Sequence, residues 1–87
     1  FIYMKEVIMN TDFYRIMVNI KREHGYSTRE LARICEVCPG TFIDFFNLNR
    51  PFRPLRDKTM GRINKNLGIP YEVMEDYNKK VLQERKK

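Results

Sequence analysis

The chain has 87 residues, 43% of them apolar and 32% charged, with 17 Lys and Arg against 11 Asp and Glu for a net charge of +6. That length suits one domain with one modest core, which buries roughly 60% of the surface its unfolded chain exposes. The basic excess points to nucleic acid or another anionic surface as partner, and no apolar run approaches the roughly 18 residues a membrane span needs. The opening stretch sets Lys5 and Glu6 among apolar residues and lacks the h-region of a signal peptide. The cytoplasm is therefore the expected compartment, with Cys35 and Cys38 as free thiols. Residue 1 is Phe rather than Met, and Met4 and Met9 are candidate starts. Residues 1–10 are read as an N-terminal extension that is not native or is disordered.

Four to five short helices are expected from there on. The first runs from Asp12 to about His24, capped by Thr11 or Asn10 and stopped by Gly25. Phe13, Ile16, Met17 and Ile20 fall on one face of it. The second begins at Ser27, where Ser27 and Glu30 have the spacing of a capping box, and buries Leu31, Ile34 and Cys35. Only Glu36 and Val37 separate it from the third, whose cap position is Cys38 and whose first helical residue is Pro39. Phe42, Phe45 and Phe46 give that helix its apolar spacing, and it fades at Asn47 or Leu48. Pro51 and Pro54 make residues 49–55 a loop. The fourth helix spans about Arg56 to Leu67 and ends at Gly68, with Ile69 closing the apolar contact of a Schellman stop. The last spans Tyr71 to Glu84. Its stripe of Tyr71, Met74, Tyr77 and Val81 is the candidate dimer surface, the alternative being that it completes the monomer core. The basic tail through Lys87 is expected to fray.

Two short helices joined so tightly form a recurring unit, in which the second can enter a DNA major groove while the first crosses the backbone. The stretch Tyr26–Phe42 (YSTRELARICEVCPGTF), continuing through Asn47, resembles the Cro/repressor (XRE-type) helix-turn-helix family. Glu30, Leu31 and Ala32 match its E-L-A, Val37 its buried turn residue, Cys38 its Ser cap and Phe42 its apolar position. Arg53–Met60 and the Leu67-Gly68-Ile69 ending are similar to its fourth helix, so the resemblance covers about Asp12 to Ile69. It implies an all-α, compact lambda-repressor-like domain over residues 11–70, followed at 71–87 by a helix for packing or dimerisation. It also implies a cytoplasmic, bacterial or phage-encoded repressor binding double-stranded DNA as a homodimer at a palindromic site. Cys38, Gly40, Thr41, Ile43, Asp44 and Asn47 would then face the groove, with backbone contacts from Ser27 and Thr28. The chain departs from the pattern at Glu36, which stands where a turn Gly is usual and where φ is often positive, and at Leu48, which replaces a later Gly.

The cations lie beyond the third helix. Arg50, Arg53, Arg56, Lys58, Arg62 and Lys65 stand against Asp57 alone, and Arg50, Arg53, Arg56 and Lys58 are the candidate phosphate contacts. Among the groove-facing residues, Asn47 and Thr41 can hydrogen-bond a base edge, Asp44 suits only a cytosine amine, and Ile43 suits a thymine methyl. The reading surface is thus thin beside the electrostatic one. Two alternatives follow: a helix-turn-helix reused to bind protein through Phe46 and Phe52, or a non-specific DNA binder. Cys35-x-x-Cys38 with the single His24 is read as core plus cap, so neither metal nor cofactor is expected. No catalytic constellation is legible, and an enzyme is not expected.

Overall fold

Local signals start and stop most of the helices. In the computed structural model, which describes residues 2–85, six helices form and no strand does: α1 Ile2–Met9, α2 Asp12–His24, α3 Thr28–Ile34, α4 Pro39–Phe46, α5 Asp57–Leu67 and α6 Tyr71–Arg85. Thr11 caps α2 by accepting the Tyr14 N–H at 3.3 Å, and its hydroxyl donates to the Ile8 carbonyl at 2.7 Å. One buried side chain thereby closes α1 and opens α2. Gly25, at φ 67°, ends α2 as a Schellman stop, with the Tyr26 N–H reaching back to the Lys21 carbonyl at 3.1 Å. Gly68, at φ 72°, stops α5 by the simpler αL bond from its own N–H to the Asn64 carbonyl, 2.9 Å, rather than by the Schellman pattern read from the sequence. Ile69 is still buried there, and the Asn64 carboxamide holds its carbonyl at 2.9 Å.

Within residues 2–10 the structure departs from the expected disorder, while Phe1 lies outside the described residues. Ile2–Met9 is helix, and Ile8 is 2% exposed, packed in the same core as Phe13, Met17 and Val81. The reason is tertiary: α1 packs on α2 and α6, and Ile8 joins their core. At the other end α6 continues through Arg85, with Glu84 buried; Lys86 and Lys87 lie outside the described residues.

A second correction concerns the expected dimer surface. Met74, Tyr77 and Val81 are 0–1% exposed within the single chain, and only Tyr71 of that stripe faces solvent. The helix turns them onto α1, α2 and α5, so they complete the monomer core. Phe52 is corrected likewise. It is buried, with its ring 5.7 Å from that of Tyr14 and 6.1 Å from that of Phe45, and it offers no surface to a partner.

The turn between α3 and α4 is a Schellman stop built without glycine. The Val37 N–H reaches the Ala32 carbonyl at 3.0 Å and the Glu36 N–H reaches that of Arg33 at 3.1 Å. Glu36 takes φ 60°, the one positive φ outside glycine among the described residues. A non-glycine residue in that region costs of order 1–3 kcal/mol unless its surroundings hold it. Here α5 does the holding. Arg62 Nη1 donates to the Glu36 carbonyl at 3.0 Å, and Asn66 Nδ2 donates to the Cys35 carbonyl at 3.2 Å and to Glu36 Oε1 at 3.3 Å. Lys65 Nζ lies 3.7 Å from the same carboxylate.

Two outcomes are expected in urea unfolding. Ile8→Ala lowers stability by about 2–4 kcal/mol, as for a fully buried aliphatic side chain; a loss below about 0.5 kcal/mol would mean that α1 is not part of the cooperative unit. Glu36→Gly stays within about 1 kcal/mol of the parent, because relief of the positive φ offsets the lost contacts and the added freedom of the unfolded chain. Glu36→Val, β-branched at the same φ, costs about 2 kcal/mol or more.

Candidate nucleic-acid interface

The site starts from the two faces of α4. Phe42 and Phe45 point into the core, while Pro39, Gly40, Thr41 and Ile43 face solvent and Asp44 is half-buried. Cys38 occupies the cap position with extended backbone, φ −63° and ψ 131°, but its thiol makes no capping bond. The cap function expected of it is not realised: sulfur is a weak acceptor, and Pro39 at the first helical position removes one N–H that would need a partner.

The chain then runs through residues 47–56. Asn47 closes α4 and opens a turn, its Oδ1 accepting the Asn49 N–H at 3.0 Å and its carbonyl the Arg50 N–H at 3.0 Å. Phe52 plugs inward and leaves Arg50 and Arg53 outward. Two residues of α6 hold the second half of this loop. The Tyr77 hydroxyl donates to the Arg53 carbonyl at 3.3 Å, and the Asn78 carboxamide accepts the Leu55 N–H at 2.6 Å and donates to the Leu55 carbonyl at 3.0 Å.

Between α4 and this loop lies a groove of about 480 Å³. It is lined by Cys38, Gly40, Thr41 and Asp44 at α4, by Arg53 and Arg56 from the loop, by Lys58 and Arg62 from α5, and by buried Tyr77. Arg62 is engaged with the Glu36 carbonyl. Arg53, Arg56 and Lys58 are exposed and carry no ion pair among the described residues. Cations that line one groove reinforce one another's field, and Asp44 is the one carboxylate among the lining residues.

Of the residues singled out from the sequence, Cys38, Gly40, Thr41, Asp44, Arg53, Arg56 and Lys58 come together around the groove. Ser27, Thr28, Ile43, Asn47 and Arg50 do not line it. Ile43 and Arg50 are exposed beside it in the chain, whereas Ser27 spends its side chain on the capping box: its hydroxyl accepts the Glu30 N–H and its own N–H donates to Glu30 Oε1, each at 3.1 Å. The Ser27 backbone N–H foremost, and then the Ser27 side chain, hold the Glu30 carboxyl below its ordinary pKa. Asn47 is half-buried and its amide oxygen already accepts a turn N–H, which ties the side chain down. Phe46 is half-buried too, its ring edge-on to Phe45 with Lys21 Nζ 5.1 Å above it. Sequence reasoning missed Tyr77 and Asn78 as parts of the site; a Tyr-Asn pair on a helix carries no local sign of which loop it will meet.

Cys35 and Cys38 are free thiols in different surroundings, the first buried and the second exposed. Burial pushes the Cys35 thiol from 9.0 up to about 11. Among the described residues no three His, Cys, Asp or Glu gather as a metal site, and no helix is long and apolar enough to cross a membrane. In comparisons with known proteins, no family model, no curated protein and no solved structure matches this chain.

The buried thiol sets a pH dependence. The folded state holds the Cys35 proton more tightly than the unfolded chain, so the stability this lends is complete below pH 9.0 and is lost as pH rises through about 11. Burial raises Tyr77 and Tyr14 as well, Tyr77 with a smaller push from Tyr14, and both act in the same direction above pH 10.0. The urea midpoint should therefore fall across that window, and less steeply in Cys35→Ala. A thiol reagent at pH 8 should label Cys38 alone until the chain unfolds; labelling of both at equal rates would contradict the burial of Cys35.

Proposed function

We propose that this chain binds double-stranded DNA as a helix-turn-helix module of a transcriptional regulator, with α4 in the major groove and the phosphate backbone along Arg53, Arg56 and Lys58. The observation that carries the reading is the groove beside the exposed face of α4, in which three unpaired cations oppose a single carboxylate. A helix that enters the major groove lies between two phosphate strands, so cations flanking one side of it are where a strand would pass. The tight turn at Glu36 supports the same reading, because it holds α3 and α4 as one unit. Base recognition falls to Thr41, Asp44 and Ile43, with Asp44 suited to a cytosine amine and Ile43 to a thymine methyl. The phosphate contribution therefore outweighs the specific one. Binding to a two-fold site would need a dimer surface other than Met74, Tyr77 and Val81, which are buried.

A second reading, a module that docks protein, draws on Ile43 and Leu48, 38% and 43% exposed, on either side of half-buried Phe46. The two readings differ over the cations: protein docking on that apolar edge would survive Arg53→Ala with Arg56→Ala.

Selection from random duplexes, followed by salt titration of the winner, tests the proposal. Each of Arg53→Ala, Arg56→Ala and Lys58→Ala is expected to lower the slope of log K against log salt by about 0.9, the value for one phosphate contact. Arg62→Ala should instead lower stability, through loss of its bond to Glu36, and change the slope less. An enriched sequence with C·G at the position met by Asp44 is the expected product of selection. No duplex binding at low salt would overturn the DNA reading, and binding without any enriched sequence would reduce it to non-specific DNA binding.

A further inference from the structure

Residues 51–55 have almost no means of holding themselves in place. Pro51 and Pro54 carry no N–H, and among the described residues no backbone–backbone hydrogen bond involves 51–55. What fixes this segment, apart from the buried ring of Phe52, comes from two adjacent residues of α6. The Asn78 carboxamide closes both polar groups of Leu55, at 2.6 and 3.0 Å, as a neighbouring strand would, and its NH₂ also lies 3.6 Å from Met60 Sδ. The buried Tyr77 hydroxyl closes the Arg53 carbonyl at 3.3 Å. The pinned atoms belong to Arg53 itself and to the residue just before Arg56, the two groove arginines other than Arg62, which is engaged with Glu36.

We infer that Asn78, seconded by Tyr77, is the positioning residue of the anion-binding groove: α6 sets the backbone from which Arg53 and Arg56 present their guanidinium groups to phosphate. The inference rests on the reading of that groove as a polyanion site. Asn78 touches no phosphate itself. Its effect is to remove, before binding, the loop freedom that a ligand would otherwise have to freeze. This gives the C-terminal helix a part in binding, although its expected dimer stripe is spent on the core.

The test uses the full chain, with Asn78→Ala, Tyr77→Phe, the pair Arg53→Ala and Arg56→Ala, and that pair combined with Asn78→Ala. Two probes are titrated with salt, a short mixed-sequence duplex and heparin, and amide exchange is followed at Leu55. Asn78→Ala is expected to speed Leu55 exchange by about tenfold or more relative to α2 and α3 amides, and to lower the salt slope by up to about 0.9 for each cation released from its place. In the background lacking Arg53 and Arg56 it should change the slope no further, which a general loss of stability would not reproduce. Should Asn78→Ala fail to fold, Tyr77→Phe removes one hydroxyl and leaves the ring, with a smaller effect expected in the same direction. Faster Leu55 exchange with an unchanged slope overturns the inference, as does a loss that persists in the double-arginine background. A parent chain that binds heparin but no duplex overturns the DNA reading instead, and the same cycle on heparin still decides the positioning role. A parent that binds neither overturns both.

Discussion

The structure depends on where one ring sits. Phe45 lies on the inner face of α4, and its centroid is 4.9–6.1 Å from those of Phe13, Tyr14, Phe46, Phe52 and Tyr77. Those five come from α2, α4, the loop and α6, so one side chain ties the α4 and loop borders of the groove to α2 and α6. Aromatic pairs of this kind contribute about 0.5–1.5 kcal/mol each beyond the area they bury, and most of the contacts here are edge-on or tilted. With Phe45 inward, helical spacing sends Gly40, Thr41 and Ile43 outward. With Phe52 drawn to the same cluster, Arg53 on the next position has solvent as its only direction. The cationic edge is in this sense a consequence of the apolar centre.

The second constraint is the turn at Glu36. A positive φ at a carboxylate side chain is unfavourable by itself, and α5 answers it with Arg62, Lys65 and Asn66. The basic run from Arg50 to Lys65 is thereby divided. Arg62 and Lys65 work on the turn, and Arg53, Arg56 and Lys58 remain unpaired at the groove. Charge counted along the sequence treats these five as equivalent. The division explains why a strongly basic segment can serve the fold and still leave a local excess of positive field.

On the proposed DNA reading, base recognition is the weakest part in physical terms. Asn47, the best bidentate donor and acceptor on or beside α4, has its amide oxygen in a turn, and the first turn of α4 carries Pro39 and Gly40, which offer a base no side-chain hydrogen bond. A small side-chain complement at a helix entering a groove permits close backbone approach but little discrimination. On that proposal grip and recognition are carried by different segments, and α6 bonds the backbone of the segment assigned to grip.

Much of the local architecture was legible in the residues. Thr11, Ser27, Gly25, Gly68 and Pro39 marked helix ends within about one residue, because caps and stops act through bonds spanning three to five positions. The positive φ at Glu36 was expected only through the resemblance, from the turn Gly usual at that position. The roles of the last helix and of the opening residues were not. Met74, Tyr77 and Val81 form an apolar stripe that reads equally well as a dimer surface or a core face, and only the packing of α6 on α1, α2 and α5 decides between them. Ile8 needed its partners too: an eight-residue helix has little stability alone, and α1 exists because α2 and α6 cover it. Nor could the sequence alone set Asn78 against Leu55, 23 positions away. The residues by themselves determined helix ends, charge and spacing, all short-range properties. Which apolar face met which, which cations stayed free and which polar side chain held the loop were decided by contacts between segments distant in the chain.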